Sequence, residues 1–208
     1  LPRLRNIGLQ MEAAMFEATG NVNTQKGIIF LMGLSLFSCG KLLSKKDHFH
    51  AEEFRNIIKG VCKDMVRNEM RNSTASGKSH GEKIFRKYGF SGARGEAENG
   101  FATVSDFGLP ELIQSGQIND ESLIKCLLSI AANNNDTNIL FRSNPDVLSK
   151  FKSLCQIALD DFNAENYASV IDFCKQENIS PGGSADLLAV SIFVWSVIQA
   201  NEQNHFTF

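Results

Sequence analysis

Four polar clusters hold the residue types that chemistry on an anionic ligand requires: GNVNTQKG at 20–27, SHGEKIFRKYGFSGARGEAENGF at 79–101, NDTNILFR at 135–142 and PGGSADLLA at 181–189. Lysine and arginine grip phosphate through charge-assisted hydrogen bonds. Carboxylates move protons or hold a divalent cation, and free N–H groups at a helix start favour anions. Each cluster also has a plainer reading. Asn-Thr-x-Lys fits a helix cap followed by a surface lysine, Asp-Thr-Asn fits capping, and Pro-Gly-Gly-Ser-Ala-Asp fits a turn and a cap, because short polar side chains satisfy free helix-end amides.

The elements that must position these clusters are helical almost throughout. Phe54, Ile57, Ile58, Val61, Cys62 and Met65 recur at the three-and-four spacing of one helix face. Val147, Phe151, Leu154, Cys155 and Ala158 do the same, as do Tyr167, Val170, Ile171 and Cys174. Pro145 after Asn144 marks a helix start. No alternating pattern of useful length suggests a strand. The expected fold is all-α, a multi-helix globular bundle forming one catalytic domain over residues 1–208. Residues 28–43 and 185–198 are apolar on almost every face, which predicts two buried central helices packed all round. Each follows a polar, glycine-bearing turn, so an anion-binding cavity is expected between their starts. The stretch 76–100, with six glycines among charged residues, breaks the helical pattern and reads either as a solvated loop or as a phosphate-handling loop.

A chain of 208 residues that is 43% hydrophobic can bury a sizeable core. Its net charge of -2 gives no field for nucleic acid or an acidic membrane surface. No stretch of 18 or more uninterrupted apolar residues argues for a span, so no membrane partner is expected. The five cysteines are odd in number, widely spaced and set in apolar helical patterns. They read as buried reduced thiols of a cytoplasmic protein and not as a zinc site. The pattern LPRLRNIGLQMEAAM is already an amphipathic helix at Leu1, and the chain is expected to be the C-terminal majority of a longer protein.

Taken together and in order, QMEAAM (10–15), GNVNTQKG, SHGEKIFRKYG, GARGEAENGF, DTN and PGGSADLLA resemble the triphosphoribosyl-dephospho-CoA synthase family over nearly the whole chain. The Gly-Ala-Arg-Gly-Glu-Ala-Glu block is the most specific part. Gln25 stands where the family commonly has His, and Asn135 where a second Asp is common. Phe141 and the residues after Arg142 depart from the usual His-Arg-Gly-Gly, and the family's Thr-Pro-Lys-Pro-Gly motif is absent.

The resemblance implies transfer of the 5-triphosphoribosyl group of ATP to the ribose 2′-hydroxyl of 3′-dephospho-CoA, with adenine leaving. It implies Mg²⁺ with the ATP, and a later prosthetic-group transferase that passes the product to an acyl carrier protein. Attack at the sugar carbon calls for a carboxylate near the hydroxyl or the developing oxocarbenium ion, and for cations on the triphosphate. On this reading Lys26, Lys83 or Arg86, and Arg94 hold phosphate, helped by Ser79, Ser184 and the amides of Gly182 and Gly183. Glu82, Glu96, Glu98, Asp136 and Asp186 are the carboxylates, with Asp136 ranked first as the metal- or sugar-contacting group. Glu96 and Glu98, two apart, are not expected to share a helix face. Asn21, Asn23, Thr24 and Asn138 would orient hydroxyls or bases, and His80 would be a general acid or a structural hydrogen-bonder. Two other readings compete: a Mg²⁺-dependent N-glycohydrolase of ADP-ribose or nucleotides, and a helical interaction module whose glycine-rich clusters scatter over the surface.

Overall fold

The computed structural model describes residues 2–44, 48–71 and 79–202, and all of its regular elements are helical. In chain order they are α1 (Pro2–Ala18), α2 (Lys26–Leu43), α3 (Ala51–Val61), α4 (His80–Tyr88), α5 (Gly92–Glu98) and α6 (Leu109–Ser115). Then follow α7 (Asp120–Asn133), α8 (Thr137–Arg142), α9 (Pro145–Asp160), α10 (Ala164–Gln176) and α11 (Gly182–Glu202). Two short π-helical segments, Arg67–Arg71 and Val104–Gly108, lie between them.

Several helix starts follow from side-chain caps. Asn119, Asp136, Asn144 and Asn163 each accept a backbone N–H in the first turn of the helix that follows. Pro145 occupies the first turn of α9, as its missing donor allows. The glycine-rich stretch expected to break the helical pattern instead builds α4 and α5 over its described part, while residues 76–78 lie outside the described residues. Its glycines punctuate: Gly89 ends α4 in the left-handed conformation, at φ 81°.

Two hydrophobic clusters meet at α7. One joins α2, α3, α5, α6 and α11 through Leu31, Leu34, Phe54, Ile58, Leu112 and Val190, with Cys126 and Ile130 from α7. The other joins α4, α8, α9 and α10 through Ile84, Leu140, Phe151 and Phe173, with Leu128 and Ala131 from α7. α2 and α11 pack on each other and belong to the first cluster, but their cover is one-sided. Leu36 and Phe37 on α2 are exposed, and Trp195 on α11 is only half-buried, so these helices are not packed all round. Both have the length and mean hydropathy, 1.5 in each, of a membrane span, traits that core helices of soluble proteins share. The five cysteines are free thiols, and burial pushes those of Cys62, Cys126 and Cys155 up to about 12.

Candidate active site

The starts of α2, α4, α5, α8 and α11 converge with α1 on a cleft of about 610 Å³. At its back, Asp136 joins two helix starts. Its Oδ1 accepts the N–H groups of Asn138 at 2.9 Å and Ile139 at 3.4 Å, which caps α8. Its Oδ2 accepts the Ser184 N–H at 2.8 Å and the Ser184 hydroxyl at 3.0 Å, which caps α11. Ser184 Oγ in turn accepts from Asn134 Nδ2 at 3.1 Å. The Asp136 side chain is 1% exposed. Burial pushes its carboxyl upward, and the donors from Ser184, Asn138 and Ile139 oppose that rise. Four donors and no acceptor require the ionised form. This is the capping reading carried to two helices. The expectation that Asp136 faces a metal or sugar finds no open lone pair, because the side chain lies behind the cleft wall.

The glycines of the Pro-Gly-Gly-Ser block permit that joint. A Cβ on Gly183 would sit 3.2 Å from Asp136 Oδ1, and one on Gly182 would sit 2.8 Å from Asn138 Nδ2. Both glycines line the cleft, where they were expected as anion-binding amides, and Ser184 is spent on Asp136 behind them. Gly92, at φ 51°, begins α5 against Thr137, and a Cβ there would lie 2.8 Å from Thr137 Cγ2. The Gly-Ala-Arg-Gly and Asp-Thr-Asn blocks are thus packed on each other.

Asp186, in the second turn of α11, reaches into the cleft and lies against Gly27 in the first turn of α2. Any side chain at Gly27 would collide with the Asp186 carboxylate. Among the described residues Asp186 accepts no hydrogen bond and makes no ion pair. Burial first, and then the neighbouring Asp136 charge, push its carboxyl up to about 7.

Three of the cleft cations are held by carboxylates, and the exposed Arg142 lines the cleft as well. Lys26 Nζ lies 2.7 Å from Glu12 on α1. Arg94 bonds Glu69 at 3.0 Å and lies 3.7 Å from Glu82, while Glu69 also holds Arg5. Asn23 Oδ1 accepts the Lys26 N–H at 3.2 Å and so shapes the turn into α2, with Thr24 beside it in the lining. Ser79 caps α4 by accepting the Glu82 N–H at 3.3 Å. His80 follows, stacked on Phe141 with ring centroids 3.6 Å apart. Burial and then Lys83 lower its imidazole pKa, which favours a neutral ring.

Several expected residues fall elsewhere. Lys83 and Arg86 are exposed on α4, outside the lining. Asn21 takes φ 66°, and its N–H donates to Phe16 O at 2.8 Å, so it ends α1 and lies outside the cleft lining. Glu98 lies outside the lining and, after burial and Glu69, helps raise the Cys62 thiol, while Glu82 meets the cleft through Arg94. Glu96 does line the cleft, on a different face from Glu98, but its carboxylate accepts the Thr103 N–H at 3.1 Å and the Thr103 hydroxyl at 2.6 Å. Burial pushes the Glu96 carboxyl up against those bonds. Glu12, Glu69, Arg5 and Thr137 were not singled out as site residues. Glu12 at least lies inside the QMEAAM block, whereas Glu69 sits in an ordinary charged string, RNEMR.

The sequence profile of the ATP:dephospho-CoA triphosphoribosyl transferase family (CitG) matches residues 2–205, which takes in every block that reaches the cleft. The chain belongs to this family. A relative from Photobacterium profundum, called "Probable 2-(5''-triphosphoribosyl)-3'-dephosphocoenzyme-A synthase", is 37% identical over 97% of this chain and 66% of its own length. Relatives called "2-(5''-triphosphoribosyl)-3'-dephosphocoenzyme-A synthase" include one from Pectobacterium atrosepticum, 35% identical over 92% of this chain and 64% of its own. Another, from Klebsiella pneumoniae, is 36% identical over 93% and 67% respectively. The chain therefore spans about two thirds of the length of the family relatives it matches. No solved structure matches it.

Proposed function

We propose that this chain carries the catalytic cleft of a transferase that moves the triphosphoribosyl group of ATP onto 3′-dephospho-CoA and releases adenine. The observation that supports this reading most is the convergence of the family's separated blocks on one cleft: Lys26, Ser79, Arg94, Asn138 and Asp186 all line it. The family's name and its relatives' names supply the substrates. An interaction module would have no need to bring these polar turns together.

The ion pairs of the cleft suit a highly charged ligand that carries both signs. Lys26, Arg94 and Arg5 would turn from their carboxylates to the triphosphate, each as a charge-assisted donor. Among the described residues no three His, Cys, Asp or Glu side chains cluster as a metal site. Mg²⁺ commonly needs only one or two protein carboxylates, the rest coming from phosphate and water. Glu12 and Glu69, released from their cations, fit that demand and would hold a Mg²⁺ brought in with the triphosphate, where it would neutralise phosphate charge. His80, at the start of α4 and mostly neutral near pH 7, would offer a hydrogen bond to the leaving base, with Phe141 fixing its ring plane. Asn138 and Asn23 would orient hydroxyls. The reaction would proceed in the cytoplasm, and a prosthetic-group transferase would consume the product to load an acyl carrier protein.

The test is incubation of the chain with Mg²⁺, ATP and 3′-dephospho-CoA, with free adenine and product mass measured together. Adenine release that needs the acceptor, with a product heavier by the triphosphoribosyl group, is expected. Adenine released equally without acceptor would mark an N-glycohydrolase instead.

A further inference from the structure

Four carboxylates line the cleft, and three of them are already engaged. Glu12 is paired with Lys26, Glu69 with Arg5 and Arg94, and Glu96 with the Thr103 amide and hydroxyl. In the ligand-free cleft each of these three turns its oxygens to a partner that an incoming hydroxyl would have to displace. Asp136, behind the wall, is held by four donors. Asp186 alone among these faces the cleft with neither a cation nor a donor. It is not there by default, since its seat against α2 exists only because residue 27 has no side chain.

We propose that Asp186 is the general base that takes the proton from the acceptor hydroxyl, an assignment that rests on the transferase reading above. As the C1′–N9 bond of ATP breaks, the N9 electron pair leaves with adenine. A bond forms between C1′ and the acceptor 2′-oxygen, whose proton passes to Asp186. Adenine takes up a proton from its surroundings, and Asp186 returns its own to solvent, so charge and atoms balance. Asp136 has a defined part in this as a positioning residue. Its fixed negative charge lies beside Asp186 and raises the proton affinity of the base, while its hydrogen bonds hold the start of the helix that carries it. The other charged groups around the cleft are Lys26 with Glu12, Arg5 and Arg94 with Glu69 and Glu82, Glu96 on the Thr103 donors, the exposed Arg142, and the mostly neutral His80. A base that titrates near 7 is half-ionised at neutral pH, where general-base catalysis is most effective.

The experiment compares the full chain with its Asp186→Asn variant, using Mg²⁺, ATP and 3′-dephospho-CoA. The variant should bind ATP with unchanged Kd and lose on the order of a hundredfold or more in kcat. In the wild-type chain log kcat/KM should rise with pH up to about 7 and then level. That limb should vanish in Asp186→Asn and return, displaced, in Asp186→Glu. Asp186→Ala should regain turnover when formate is added, because formate can fill the space and accept the proton. An Asp186→Asn chain with near-normal kcat, or one that keeps the acid limb, overturns the base assignment while leaving the transferase reading intact. A folded wild-type chain that releases no adenine in the presence of the acceptor overturns the transferase reading itself, and the base assignment with it.

Discussion

Asp136 and Asp186 are both aspartates in glycine-rich, cap-forming sequence, and only their surroundings separate them. Asp136 spends every lone pair on two helix starts. An amide in its place would turn an N–H group toward donors. Asp136→Asn should therefore destabilise the fold by about 2–4 kcal/mol, beyond what a one-sided cap would cost. Urea unfolding followed by circular dichroism measures this, and an unchanged midpoint would contradict the joint described for Asp136. Asp186 has the opposite signature. Its carboxyl is raised from 3.8 to about 7 on folding, so between those values the folded state holds a proton that the unfolded state lacks. Its contribution to stability is present below about pH 4, is lost as pH rises through 7, and is flat above. Asp186→Asn, which cannot ionise, should match wild type at pH 4 and exceed it by about 1–2 kcal/mol at pH 8, solvent screening in the cleft included. Denaturant midpoints across that range decide it. Such a gain alongside lost turnover is the usual trade between a functional charge and stability.

At the scale of elements, the site depends on helix starts packed closer than ordinary side chains allow. α11 meets α8 through Gly182 and Gly183, α5 meets Thr137 through Gly92, and α2 meets Asp186 through Gly27. Gly92→Ala should cost about 1–3 kcal/mol, since it adds both a left-handed alanine and a clash with Thr137. Thermal melting checks the size, and a silent substitution would mean that α5 can shift away from α8. Gly27→Ala should act differently. The turn before α2 is held by Asn23, so the helix can form, but the new methyl must move the Asp186 carboxylate. Stability should change little while turnover falls about tenfold or more, as misplacement of a reacting group by an ångström does. Paired melting and steady-state measurements separate the two effects.

For the molecule as a whole, the ligand should add to the fold what the cleft alone lacks. α1 touches the rest of the cleft largely through α2 and the Glu12–Lys26 and Arg5–Glu69 pairs. Mg²⁺-ATP at a hundred times its Kd should stabilise the folded chain by about 2.7 kcal/mol, and Lys26→Ala should remove most of that gain with little change in the ligand-free melting temperature. Differential scanning fluorimetry with and without ATP reads both, and an undiminished shift in Lys26→Ala would take Lys26 off the triphosphate. The sequence by itself determined the helical class, the starts of helices such as α9 at Asn144–Pro145, and the blocks that form the cleft, because periodicity, capping and composition act over a few residues. It could not rank the carboxylates. Asp136 ranked first for the chemistry that the family resemblance implies, yet its partners are Asn138, Ile139 and a serine 48 residues on. Nor could it show that the apolar helices α2 and α11 leave Leu36 and Phe37 uncovered, or that Glu69 joins Arg5 to Arg94. Only the tertiary structure decided these, because proton affinity and burial are set by what packs against a side chain from distant parts of the chain, and no local pattern records that.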